Sequence, residues 1–423
     1  MKIRKAFTLI LVSIAVSLAI NSFTLYSPSI QTVYAQVTMN DPNLNAELIL
    51  GGMSFPTSMA FLDENNILVL EKEGSVRLIS DGVMQNTPVL QVPVDSKNER
   101  GLLGIAISGG NGNATSTSTS GESATVFLYY TEQGEEELRN RVYKYQWNGQ
   151  SLIDPVLLLD LPAGPGTNHQ GGKMVLGPDG YLYVVVGELQ REGQLQNIEN
   201  GPPPDDSGVI LRVNPEDGSG APHNPFQDEA TNQYFDYAVR NSFGLAFDPM
   251  TGALWDAENG EDSYDEINIV DPGFNSGWKA VMGPLSRAGV SEDSLVQLPG
   301  SQYFDPIFSW VESFGITDIE FFESNSLGQK YANNIFAGDI TQGNLYFFEV
   351  NQDRNGLQFD AQSQSGLSDL VADTDEEASS VTLGTGFVGI TDIETGPDGL
   401  LYVLTHDRET GEGNLYGISS STS

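Results

Sequence analysis

The sequence predicts an all-β protein, a six-bladed β-propeller of four-stranded antiparallel blades, on three observations. The hexapeptide Gly-Ile-Thr-Asp-Ile-Glu occurs twice, at Gly315–Glu320 and Gly389–Glu394. A longer unit (apolar strand, Pro/Asp/Gly turn, Leu-Tyr-Val-type strand) recurs at Lys173–Gly187, Gly244–Glu258 and Asp392–Thr405. Weaker copies lie at Met59–Glu71, Leu103–Thr131 and Ile319–Gly338. Third, apolar residues alternate with a period of two, and no helical period interrupts the copies. Sheets in series must hide their strand edges, and radial packing does so.

The elements follow in chain order. Lys2, Arg4 and Lys5 precede the apolar run Ala6–Ile20, and Val33-Tyr34-Ala35 offers a small-residue cleavage site. Residues 1–35 therefore read as a signal peptide that sends the protein outside the cytoplasm, with an uncleaved anchor as the alternative. Residues 36–44 read as a linker, 45–419 as the propeller and 420–423 as a polar tail. Outer strands are expected at Val142–Trp147, Val209–Val213, Glu266–Val270 and Asn344–Val350. The last blade runs out of chain, so Asn45–Leu50 should pair with Asn414–Ile418 and close the ring. Ser108–Ala124, which includes the N-x-T acceptor Asn113, and Asn200–Ser207 read as loops.

Composition narrows the function. With 57 acidic and 19 basic side chains the net charge is −38, which excludes a nucleic-acid surface and repels anionic membranes. The absence of cysteine removes disulfides, thiolate metal sites and a cysteine nucleophile. An acidic, glycine-rich β protein remains, suited to cations.

Antiparallel pairing maps the site. Around Gly177–Tyr181 it sets His169 opposite Glu188 or Leu189. Around Asp248–Ala253 it sets Arg240 and Asn241 beside Asn259–Glu261, and around Gly396–Leu400 it sets His406 opposite Ile390. Glu99, His169, Glu188, Arg240, Asn241, Asn259, Thr317, Asp339, Thr391 and His406 should thus share one mouth of the channel. His169 is suited to taking a proton, with Glu188 orienting the ring; the other reading of the spacing is that His169 only satisfies a loop hydrogen bond. Arg240 suits a carboxylate or oxyanion ligand, or else an ion pair among Glu258, Glu261 and Asp262. The loop Glu258–Glu266 has five carboxylates in nine residues and suits Ca²⁺, although not in EF-hand spacing. Asp373–Glu377 reads as a solvated acidic loop, and His223 as a turn residue.

Four motifs in register then carry a resemblance: Glu99–Gly104 (ERGLLG), His169–Gly180 (HQGGKMVLGPDG), Arg240–Asp248 (RNSFGLAFD), and Asp265–Asn268 (DEIN) with Gly277-Trp278. From about Phe55 to Gly417 the chain resembles the glucose/sorbosone dehydrogenases, soluble quinoproteins that use pyrroloquinoline quinone and Ca²⁺ on a six-bladed propeller. The resemblance implies oxidation of an aldose-type sugar or related polyol, with an external electron acceptor. It implies that His169 is the general base and Glu188 its acidic partner, and that Glu99 lies near the sugar. Arg240, Asn241 and Asn259 would then meet the cofactor, Arg240 also approaching the substrate, and Gly260 and Glu261 would hold Ca²⁺ through backbone carbonyls. Three positions depart from the family. Thr341 stands where a Lys is expected, and Gly389 and Thr391 stand in place of an Arg-x-Arg run. The quinone has three carboxylates, so lost cations leave a like-charge cost of about 1–4 kcal/mol per close contact. That departure keeps a second reading open, a non-redox Ca²⁺-binding propeller that recognises a glycan or a surface protein. A propeller lactonase fits less well, for want of a four-carboxylate metal set.

Overall fold

Six antiparallel sheets follow one another along the chain, and each begins with a short strand at the channel wall. The computed structural model describes residues 36–109, 124–134 and 137–421. The signal segment and Asn113 lie outside the described residues. Blade one comprises Pro56–Asp63, Asn66–Glu71 and Ser75–Ser80, with Val83–Met84 and Leu90–Gln91 sharing its outer edge. Blade two runs Leu102–Ser108, Thr125–Glu132, Arg139–Trp147 and Leu152–Pro162. Blade three runs Gly171–Leu176, Leu182–Val186, Val209–Val213 and Tyr234–Tyr237. Blade four is Ser242–Phe247, Leu254–Glu258, Asp265–Val270 and Phe308–Trp310. Blade five is Ile316–Phe321, Ile335–Asp339, Leu345–Val350 and Thr382–Thr385.

Blade six closes the ring as the sequence implied. Ile390–Thr395, Leu401–His406 and Glu412–Ser420 are completed by Leu44–Ser54, which pairs with Glu412–Ser420 from Leu44↔Ser420 to Ser54↔Glu412. The cores lie between the blades. Trp255, Phe308, Trp310, Ile319, Tyr346 and Phe348, all buried, join blades four and five. Burying such aromatics is the main drive for stacking sheet on sheet.

Three features were not anticipated. Within residues 36–44, read as linker, Thr38–Met39 pair with Thr385 and Gly384 and add a strand to blade five. Val371–Ala372 lie parallel to Ser309–Trp310 at the edge of blade four. The acidic stretch Asp373–Glu377 is no simple loop, because Asp375–Ser380 form a helical turn capped by Thr374 in a capping box with Glu377. Its first-turn carboxylates favour that end of a helix. Leu285–Ala288 form a second short helix. Among the described residues no helix is long and apolar enough to cross a membrane.

Inner strands of blades two and three approach one another closely at glycines near their starts. A Cβ on Gly104 would collide with the carbonyl oxygen of Gly172, so blades two and three can meet there only without side chains. Deeper in the channel, Lys173 of blade three reaches Asp318 of blade five at 2.8 Å and Asp392 of blade six at 2.6 Å. Asp318 and Asp392 are the equivalent aspartates of the repeated hexapeptide, so the repeat ties three blades through one ammonium.

Candidate active site

The start of each inner strand and the end of each second strand meet at one mouth, and there the polar residues converge. His169 stands two residues before the inner strand of blade three, Gly171–Leu176, and has φ +58°. A left-handed backbone at a non-glycine residue costs about 1–3 kcal/mol and persists only where the surroundings enforce it. Gly187 provides the room, since a Cβ there would collide with the His169 carbonyl oxygen. The Leu189 amide then donates to that carbonyl at 3.2 Å, and the Glu99 Oε2 accepts from the His169 amide at 2.7 Å.

The imidazole is held at both nitrogens. Nδ1 is hydrogen-bonded to Glu188 Oε1, and Nε2 lies 2.9 Å from Nη2 of Arg240. A guanidinium can only donate, so Nε2 accepts and the ring proton sits on Nδ1, facing the carboxylate. Glu188 is buried, and its amide donates to the Arg240 carbonyl at 2.8 Å. Arg240 is buried too, lies 5.2 Å over the ring of Trp278, and donates from Nη1 to the Asn259 carbonyl at 2.8 Å. Burial lowers its pKa, opposed by Glu188, Glu258, Glu261 and Glu99. Asn241 donates to Glu99 Oε2 at 3.1 Å and accepts from the Gly171 amide, which locks blades two, three and four together.

Beneath Arg240 lies a well of buried carboxylates in blade four. Glu258 accepts from the Arg240 amide and the Ser276 hydroxyl, and Glu266 accepts from the Gly283 amide. Burial pushes Glu258 up to about 8 and Asp256 up to about 7, with Asp256 adding to the effect on Glu258. Asp256 Oδ1, Asp236 Oδ2 and Asn259 Oδ1 are buried without a partner among the described residues. Asp265 anchors the loop above by accepting from the Gly260 amide at 3.1 Å and from the Phe314 and Gly315 amides at 2.6 and 2.8 Å. The carbonyls of Gly260 and Glu261 accept no hydrogen bond among the described residues. Orphaned oxygens and unscreened carboxylates suit a divalent cation. Among those residues, however, no three His, Asp or Glu side chains converge as a ready ligand set.

The mouth therefore brings together Glu99, His169, Glu188, Arg240, Asn241, Asn259 and Gly260, while the Glu261 side chain is exposed. Other residues assigned to the mouth are engaged locally. Asp339 caps its own turn through the amides of Thr341, Gln342, Gly343 and Asn344. The Thr317 hydroxyl donates to the Ile390 carbonyl, and that of Thr391 to the Leu404 carbonyl. His406 packs on Phe55 and lies 3.3 Å from the Pro56 carbonyl. Its strand partner is one residue off expectation: Thr405, not His406, faces Ile390, because a bulge follows Ile390. His223 is an exposed loop residue at φ +65°. Sequence reasoning missed Trp278 as a neighbour of Arg240, although Gly277-Trp278 belonged to a matched motif. It also missed Lys72, which follows the second strand of blade one.

A family profile described as glucose/sorbosone dehydrogenase matches residues 53–416. The chain belongs to that family. Over 379 residues it is 26% identical to the aldose sugar dehydrogenase YliI of Escherichia coli, spanning 87% of this chain and 91% of that protein. It is 29% identical to the quinoprotein glucose dehydrogenase B of Acinetobacter calcoaceticus over 270 residues, 58% of this chain and 55% of that one. A solved structure from Thermus thermophilus, assigned as an oxidoreductase (glucose dehydrogenase), superposes with a TM-score of 0.68 at 28% identity, covering 89% of this chain and 99% of that chain. The glucose/sorbosone dehydrogenases are sugar-oxidising oxidoreductases, and pyrroloquinoline quinone is a cofactor of the family.

Proposed function

We propose that the protein is an exported, pyrroloquinoline quinone- and Ca²⁺-dependent dehydrogenase of an aldose-type sugar or related polyol. The observation that carries this reading is the arrangement Glu188–His169–Arg240, a buried carboxylate, an imidazole and a guanidinium in contiguous contact at the channel mouth. When bound, the quinone supplies the two-electron acceptor. Arg240, Asn241 and Asn259 are the residues to hold it, and the carbonyls of Gly260 and Glu261 with the carboxylate well below are the oxygens to hold Ca²⁺.

The chain's own part is proton chemistry and positioning. His169 Nε2 takes the proton of the anomeric hydroxyl, while Glu188 fixes the ring tautomer and stabilises the imidazolium that forms. One oxygen of Glu99 is engaged by the His169 amide and the Asn241 side chain, which leaves Oε1 for a sugar hydroxyl. The basic start at Lys2, Arg4 and Lys5 and the apolar run Ala6–Ile20 support export, and an external carrier would accept the electrons. The threonines at 341 and 391 and Gly389 favour the second reading, a Ca²⁺-dependent glycan- or protein-recognition propeller. Purified protein mixed with quinone and Ca²⁺ separates the two. Bound-quinone absorbance with sugar-dependent dye reduction supports the enzyme; neither signal, with Ca²⁺-dependent glycan binding, supports the recognition module.

A further inference from the structure

Lys72 follows Asn66–Glu71, the second strand of blade one, and so stands at the bend that carries Glu188 in blade three, Asn259 in blade four and Thr341 in blade five. Its backbone is fixed on both sides. The amide donates to the Phe55 carbonyl at 2.9 Å, and the carbonyl accepts from the Leu102 amide at 3.0 Å. Its stem runs beneath Gly101, where a Cβ would lie 2.7 Å from Lys72 Cγ, so the side chain has one direction in which to extend. Nζ donates to the carbonyl of Asn98, the residue before Glu99. Asn98 in turn donates to the hydroxyl of Thr167 at 2.6 Å, two residues before His169.

Pairing and burial together set this lysine apart from the other lysines. In so acidic a chain cations are readily neutralised: Arg141, Lys173, Arg287 and Arg354 each contact a carboxylate. Among the described residues, the Lys72 ammonium and the Arg240 guanidinium form no ion pair with a carboxylate within 4.0 Å. Lys97, Lys330 and Arg408 form none either, but those three are exposed, whereas Lys72 and Arg240 are withdrawn from solvent at the mouth that holds His169. The acceptor of the Lys72 ammonium is a neutral carbonyl, which leaves two of its three N–H groups for a ligand. It is half-buried, and burial lowers its pKa against the pull of Glu99 and Glu73. Its charge also acts on His406 of blade six. A partly desolvated ammonium near Glu99 and His406, with no carboxylate in ion-pair contact among those residues, is a receptor for an anion.

We propose that Lys72 is a ligand-binding residue of this mouth, the cation that meets a carboxylate of the quinone from blade one, where Thr341, Gly389 and Thr391 supply none from blades five and six. The proposal rests on the quinone reading above and adds a residue to it. The test is to titrate wild type, Lys72→Arg, Lys72→Gln and Lys72→Glu with pyrroloquinoline quinone in Ca²⁺ at low and high salt. Quinone absorbance and tryptophan quenching report binding, and melting temperature reports folding. Lys72→Gln is expected to bind about tenfold more weakly, Lys72→Glu more weakly still and Lys72→Arg like wild type, with the differences shrinking as salt screens the contact. If wild type binds and Lys72→Gln binds equally well, the role of Lys72 is overturned and the quinone reading stands. If wild type itself fails to bind, both fall. Should Lys72→Gln not fold, Lys72→Arg and the salt dependence of wild type decide: weak arginine binding or salt-independent wild-type affinity counts against the contact.

Discussion

Nη2 of Arg240 lies 2.9 Å from Nε2 of His169, across the boundary between blades four and three. The lone pair suited to take a sugar proton is thus covered by a cation. A base can work there only once the guanidinium turns to an acidic or oxyanionic ligand, which Arg240 is free to meet because no carboxylate side chain among the described residues holds it. On the proposed reading, cofactor binding would also unmask the base.

For the histidine this implies a clear kinetic signature. His169→Gln should lower sugar-dependent dye reduction about 10²-fold or more while quinone binding survives. Glu188→Gln should cost less, since a neutral amide still orients the ring. Wild-type turnover in His169→Gln would remove His169 as the base.

Calcium should stabilise the protein. Asp256, Glu258 and Glu266 are buried in blade four, where burial and then Glu258 and Asp256 raise the pKa of Glu266. The Gly260 and Glu261 carbonyls lie in the loop that follows Glu258, so on the proposed reading millimolar Ca²⁺ should raise the melting temperature and a chelator should reverse the rise. A melting curve that ignores Ca²⁺ would take the metal out of the account.

Restoring the family's cations should tighten the cofactor. Thr341→Lys with Thr391→Arg adds two charges at the rim, and quinone affinity should rise at low salt more than at high salt. Unchanged affinity at both salts would show that neither position faces a carboxylate of the ligand.

The channel should make stability depend on pH. Burial pushes Glu320 up to about 8, with Asp318 adding to the rise and Lys173 and the Thr395 hydrogen bonds opposing it. Asp318 and Glu394 are raised in the same direction, again chiefly by burial. Between the ordinary carboxyl pKa of about 4.5 and about 8, the folded state keeps protons that the unfolded chain has lost, so stability falls as pH rises through that window. Glu320→Gln should flatten the fall, measured as melting temperature from about pH 5 to 8.5. An identical slope in the variant would mean that Glu320 titrates normally.

The hairpins were legible because Pro-Asp-Gly turns and two-residue alternation are local signals, and Val209–Val213 agrees at both ends. The facing of His169 and Glu188, and of Asn241 and Asn259, followed from pairing alone. What pairing could not show were the bulges at the starts of inner strands, after Gly171, Ser242 and Ile390, which shift each register there by one residue. Two-residue strands such as Thr38–Met39 and Val371–Ala372 carry too little pattern to announce themselves. The link from Lys173 to Asp318 and Asp392 joins residues distant in sequence, and only the closed ring brings them together. Lys72 was within reach, since it occupies the same bend as residues already singled out in other blades.

The seam in blade six has a consequence for how the molecule is made. Leu44–Ser54 is paired with Glu412–Ser420, and the Ser421 hydroxyl donates to the Pro42 carbonyl across 379 positions of chain. The ring is thus joined by hydrogen bonds and side-chain packing at a place where the backbone does not run through. Until that last strand emerges from the ribosome, the early segment has no mate and the wheel stays open with two raw edges. A circular permutant that moves the chain break to another exposed turn should keep the same wheel, whereas loss of the closing strand should leave an open edge prone to self-association.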